Sequence, residues 1–118
     1  MRRSSDSKPR PLPTARNESF KDFVLDQLNE LPGVTCRAMF GGYGLYQGAV
    51  FFGIIHEGRL YFKTDERTKL LYVKKGMKPF RPNAKRTLKT YYEVPVDLIE
   101  NQEQLIAWAG KAACRERH

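Results

Sequence analysis

The sequence predicts an α+β domain of two layers, with an antiparallel sheet of about five strands in the order α-β-β-β-β-α-β-α. Three observations lead there. Apolar residues recur at helical spacing near both ends of the chain. Between them lie short strand-like runs separated by glycine-containing turns of two to four residues, the pattern of antiparallel hairpins. At 118 residues and 41% apolar composition, the chain can build one domain with a real core and little beyond it.

Residues 1–16 hold Pro9, Pro11 and Pro13, with Arg2, Arg3, Lys8, Arg10 and Arg16 against Asp6 alone. Prolines remove backbone donors and like charges repel, so this segment reads as a disordered or extended basic tail. The domain proper then spans residues 17–118. Asn17 or Ser19 offers a side-chain oxygen to cap the first helix, and Ser19 with Asp22 resembles a capping box. Phe20, Phe23, Val24, Leu28 and Leu31 form its apolar stripe, and Pro32 and Gly33 end it.

Four strands follow, at Val34–Met39, Tyr43–Tyr46, Ala49–Ile55 and Arg59–Lys63. The third is almost wholly apolar, which places it centrally. Thr64 or Asp65 caps a second helix that runs to about Lys75, with Leu70, Leu71 and Val73 as its apolar residues and Gly76 as its stop. Residues 78–85 include Pro79 and Pro82 and read as a loop. The stretch from Thr87 to Val94 is the fifth strand, closed by Pro95. A short turn through Leu98 leads to Asn101, which with Gln104 fits an N-cap. Leu105, Trp108, Ala109 and Ala112 then supply the stripe of the last helix.

The net charge is +8. Half belongs to the tail, and the other half reads as spread over residues 17–118. A basic balance points to acidic partners, nucleic acid first and anionic membrane second, although charge also serves solubility. No apolar stretch is long enough to span a bilayer, and no secretory h-region follows the basic start, so no membrane association is expected. Cys36 and Cys114 stand far apart with no metal-ligand spacing, which suits free thiols in a reducing cytoplasm.

Three constellations are candidates for chemistry. The cluster Phe40-Gly41-Gly42-Tyr43-Gly44 lacks the Lys-Ser or Lys-Thr of a phosphate loop and leads into a strand. It reads as a turn or bulge in which at least one glycine takes positive φ. His56 sits in a turn beside Glu57, with no nucleophile in recognisable order. Tyr43, Tyr46, Tyr61, Phe62, Tyr91 and Tyr92 fall on strands and fit core filling and cross-strand pairs. On an open sheet face, such rings with Lys63, Arg81, Lys85, Arg86 and Lys89 could instead stack bases and contact phosphates. No catalytic, cofactor or metal site is expected.

The segment Arg37-Ala38-Met39-Phe40-Gly41-Gly42-Tyr43-Gly44-Leu45-Tyr46 resembles the N-terminal domain of the TfoX (Sxy) family. Phe52-Gly53-Ile54-Ile55, Arg59-Leu60-Tyr61-Phe62-Lys63 and Tyr91-Tyr92-Glu93-Val94-Pro95 match in the same order, and Leu105–Ala109 with Trp108 also fits. The resemblance covers roughly residues 18–115. It implies a secretion-chaperone-like two-layer fold and a link to transcription regulation of natural competence. The family's namesake works with the cyclic-AMP receptor protein at competence promoters. The resemblance carries no enzyme activity, cofactor or catalytic residue, and its motif residues, from Arg37 to Gly44 and from Tyr91 to Pro95, are expected to serve structure. The family's full-length regulators add a C-terminal domain, whereas this chain ends at His118.

The expectation is therefore a non-catalytic regulatory module with a protein partner, transcription machinery being a candidate. Self-association through an open sheet face or edge is compatible with it. One alternative is weak, sequence-independent nucleic-acid binding through Arg2, Arg3, Lys8, Arg10 and Arg16, with the sheet. The other is a small enzyme using the glycine segment and Tyr43 or His56.

Overall fold

The structure, a computed structural model, describes residues 13–39 and 41–114, with side chains from residue 18 onward. The elements are α1 (Pro13–Gln27), β1 (Val34–Met39), β2 (Gly42–Gln47), β3 (Val50–His56), β4 (Arg59–Lys63), α2 (Glu66–Lys74), β5 (Pro79–Asn83), β6 (Arg86–Glu93), α3 (Val96–Ile99) and α4 (Gln102–Ala112). The expected α+β class with an antiparallel sheet holds, and four details differ.

The first helix starts at Pro13 rather than near Asn17 or Ser19. Proline suits a first helical turn, where its missing N–H has no intrahelical partner to lose. The expected loop at 78–85 contains a sixth strand, β5, at the sheet edge. Pro79 and Pro82 are tolerated there because an edge strand has one row of backbone groups outside the ladder. The turn through Leu98 is a short helix, α3, with Pro95 as its N-cap residue. On α2 only Tyr72 is buried, while Leu70, Leu71 and Val73 are exposed.

The strands pair in the order β1-β2-β3-β4-β6-β5, every pairing antiparallel. Val24 of α1, Leu28 just after it, and Leu105 and Ala109 of α4 pack on Leu45, Phe52, Ile55, Leu60 and Phe62 of the central strands. Phe52 and Phe62 are fully buried with ring centroids 5.7 Å apart. Each such ring contributes roughly 1.5–3 kcal/mol by leaving water. α2 is anchored by Tyr72, whose ring lies 6.0 Å from Tyr92 and 4.8 Å from Trp108. Gln27 joins the helices: its Nε2 donates to Ile99 O (2.8 Å), and its carbonyl accepts from Gln102 Nε2 (3.1 Å). Among the described residues no helix is long and apolar enough to cross a membrane.

The glycine segment divides its labour. Gly41 sits in the β1–β2 turn with φ +77°, as expected for this cluster. Gly42 and Gly44 lack positive φ and are needed for space instead. A Cβ on Gly42 would overlap the Ile55 carbonyl oxygen of β3, a backbone atom that no rotamer change can move. Gly42→Ala is therefore expected to cost about 3 kcal/mol or more. Gly41→Ala, which meets nothing within 4 Å, should cost about 1 kcal/mol from its dihedral alone. Denaturant midpoints measure both, and equal costs would contradict the close-approach account.

Asp65 caps α2. One oxygen accepts from Arg67 N and Thr68 N at 2.9 Å each, and Thr68 Oγ1 accepts from Asp65 N at 2.9 Å. These bonds, led by the Thr68 N–H, favour the ionised carboxylate and hold its pKa below the usual value. Protonation thus weakens the cap, so its stabilisation is present above the ordinary carboxylate range and is lost as pH falls through the depressed pKa. Asp65→Ala is expected to cost about 1 kcal/mol at neutral pH. Urea melts from pH 7 down to about pH 3 should show that penalty shrinking as the wild-type cap protonates. A penalty that stays constant or grows in acid would contradict the assignment.

Candidate interaction surface

Side chains alternate along a strand, so each buried helix-facing residue has neighbours on the opposite face. On β1, Val34 and Cys36 pack against the helix-side core. Arg37 and Met39 turn the other way. The Arg37 guanidinium lies 5.1 Å from the Tyr46 ring centroid, and Met39 lies over Gly44. A Cβ on Gly44 would come within 2.8 Å of Met39 Sδ and 3.0 Å of Phe51 Cε1, so the missing side chain is the seat for both. Tyr46 stacks on Phe51 with centroids 5.2 Å apart, and Phe51 meets Tyr91 at 5.4 Å. Arg37, Tyr46, Phe51 and Tyr91 thus form one continuous stacked row across the sheet.

A second apolar cluster adjoins this row. Ile54, Tyr61 and Phe80 are its buried members, and Phe51, Leu88 and Tyr91 pack around them. Among the described residues, every member of this cluster comes from a strand and none from a helix. Its cover is the β5–β6 hairpin. Phe80 of edge strand β5 reaches Tyr61 at 4.6 Å and His56 of β3 at 5.2 Å. That reach requires the hairpin to curl across the face, and an irregular register permits it. Pro79 pairs with Tyr92 but Phe80 pairs with Leu88, so β6 carries extra residues at the bend. The hairpin buries one half of the face, while Arg37, Tyr46 and Phe51 lie on the half beyond it.

The rings here are neutral contact groups. Burial pushes the Tyr61 and Tyr91 phenols above their ordinary pKa; the neighbouring Glu93 adds to the first and Tyr46 to the second. Neither loses its proton near neutral pH, so each offers an apolar ring and a hydrogen-bonding hydroxyl. Arg59 Nη1 donates to both Glu93 oxygens at 3.1 Å, which neutralises the one carboxylate of the Tyr91–Pro95 motif.

The candidate residues from the sequence separate. Arg2, Arg3, Lys8 and Arg10 lie outside the described residues, as does Phe40, and Arg16 falls in α1 without a described side chain. Arg37, Met39, Gly44 and Tyr91 share the face away from the helices, with Tyr91 joined to the others through Phe51 and packed on the hairpin-covered cluster. Tyr43 is on the helix side, with Lys21 Nζ 5.3 Å from its ring centroid. Tyr92 is in the helix-side core. His56 sits on the other face against Phe80, so Tyr43 and His56 stand on opposite sides of the sheet and do not converge. Among the described residues no three His, Cys, Asp or Glu side chains gather as a metal-ligand set. Phe51, the hub of the stacked row, escapes a reading of the sequence because it sits in the continuous apolar run of β3, where alternation gives no sign of the face.

A comparison with curated proteins finds none that matches. The family comparison matches residues 26–114 to the TfoX N-terminal domain. That span includes all six strands, α2, α3 and α4, and with it both sides of the stacked row. The chain belongs to the TfoX N-terminal domain family.

Proposed function

We propose that this domain is a non-catalytic regulatory module of the cytoplasm that docks a protein partner on the uncovered sheet face, with a component of the transcription machinery as the candidate partner. One observation carries this reading. The motif residues Arg37, Met39 and Gly44 are spent on building a stacked row with Tyr46, Phe51 and Tyr91, instead of converging on a polar cavity. A rigid aromatic row with a cation at its end has the composition of a protein-binding hot spot, where Tyr, Trp and Arg anchors dominate. Family membership supports a regulatory role.

The test is the double variant Arg37→Glu/Tyr46→Ala. Both residues lie away from the helix-side core, so stability should fall by only about 1 kcal/mol. Quantitative affinity capture from cell extract should retain a defined partner on the wild-type chain and lose it on the variant. The same partner captured by both, with matching circular dichroism, would place the docking surface elsewhere. Turnover of a small molecule by the wild-type chain would refute the non-catalytic reading.

A further inference from the structure

The folded part of the chain segregates its charge instead of spreading it. From Arg67 to Tyr92 there are nine Lys and Arg and no Asp or Glu. Residues 18–66 and 93–114 together hold eleven acids and five Lys or Arg. A modest net charge therefore conceals one strongly cationic run on an otherwise acidic domain. The topology makes that run a single flank. β5 is the sheet edge, β6 lies beside it, and α2 leads directly into β5. The α2–β5 link is pinned at both ends: Met77 N donates to Tyr72 O (3.0 Å), and Lys78 O accepts from Glu93 N (3.0 Å).

Seven of the cations stand between Lys74 and Lys89, and all seven are exposed. Among the described residues none of them is ion-paired. The hairpin turn is shaped locally. Lys85 N donates to Asn83 Oδ1 (2.9 Å) and Arg81 Nη2 to Ala84 O (3.0 Å), which fixes the tip that presents Lys85 and Arg86. The neutral side chains of Asn83 and Thr87, among these cations, can donate hydrogen bonds. The exposed large apolar residues of the domain, Leu70, Leu71 and Val73 of α2 among them, lie outside this stretch.

We propose that the C-terminal end of α2 and the β5–β6 hairpin form a binding surface for the phosphate backbone of duplex nucleic acid, independent of base sequence. The chemistry selects this partner among polyanions. A lipid surface is held by apolar side chains that enter it, and an acidic amphipathic peptide by apolar anchors; the β5–β6 hairpin, which carries Arg81, Lys85, Arg86 and Lys89, exposes neither, and the exposed Leu70, Leu71 and Val73 belong to α2 alone. A duplex presents one negative charge about every 1.7 Å along its axis with no opposite sign to avoid. The eight residues of β6 extend about 26 Å, most of one duplex turn, so several cations can reach phosphates together. The site shares β6 with Tyr91 but lies at the opposite edge of the sheet from Arg37 and Tyr46, and it assigns nucleic-acid contact to the fold rather than to Arg2, Arg3, Lys8 and Arg10.

The experiment uses the full chain and fluorescence anisotropy of a mixed-sequence duplex of about 20 base pairs, from about 50 to 200 mM salt. With about six phosphate contacts, the log–log salt slope should be near −5. Lys85→Glu/Arg86→Glu and Lys74→Glu/Lys75→Glu should each weaken binding at least about tenfold and flatten the slope by about 2. Replacing Arg2, Arg3, Lys8 and Arg10 by Gln should change affinity less than about threefold. The proposal is overturned if the tail variant loses binding while the hairpin and helix variants keep it. It also fails if the full chain does not bind the duplex at low salt, or if polyglutamate or phosphatidylserine vesicles bind as tightly as the duplex. Arg37→Glu/Tyr46→Ala should leave duplex binding unchanged, so failure of this proposal and failure of the protein-docking reading are separately visible.

Discussion

At the first residue of β2 the chain runs so close to β3 that any side chain would overlap a carbonyl oxygen, and much of the architecture follows from that approach. Gly42 permits the contact, and Gly41 supplies the left-handed turn that delivers the chain to it. The register set there pairs Tyr43 with Ile55 and Gly44 with Ile54. Slipping that pairing by one residue would exchange the two faces of β2, sending Leu45 out of the helix-side core and Tyr46 into it. The fully buried Leu45 and the stacked Arg37–Tyr46 pair therefore depend on the same glycine.

The two faces of the sheet are finished by different means. On one, α1, α3 and α4 contribute a continuous apolar layer, and Gln27 ties the helices together through backbone carbonyls. On the other, the sheet covers part of itself, because the bend in β6 carries Phe80 over Tyr61 and toward His56. The row from Arg37 to Tyr91 is stiffened by ring stacking and by the vacancy at Gly44. A surface ordered before a partner arrives loses little side-chain entropy on binding, which is the energetic case for a docking role. The charge distribution gives the hairpin a second role, since the bend that covers one half of the face also projects Lys85 and Arg86 from the domain edge.

Much of this is legible in the sequence, and the failures have physical causes. The caps at Asp65 and Asn101 are readable because a polar side chain three residues ahead of a helical N–H has few other uses. The start of α1 is easily misplaced because Asn17 and Ser19 look like caps wherever they occur, while Pro13 fits a first turn equally well. β5 is hidden by Pro79 and Pro82, which exclude a central strand but not an edge. Tyr91 and Tyr92 are adjacent and chemically alike, and only the pairing with β4 places Tyr92 in the core and Tyr91 outside it. The cationic flank is visible as an acid-free run of 26 residues, but a net charge averages such a run away.

One face of this sheet is sealed by helices, while on the other the stacked row from Arg37 through Tyr46 to Phe51 has no helix over it and stays partly exposed. Hydroxyl-radical footprinting with residue-level mass spectrometry tests it directly. Met39, Tyr46 and Phe51 should be oxidised readily, while Phe52, Phe62 and Leu105, fully buried under the helices, should be protected. Protection of Tyr46 and Phe51 equal to that of Phe62 would contradict the account, because it would mean that another layer already covers the face assigned to a partner.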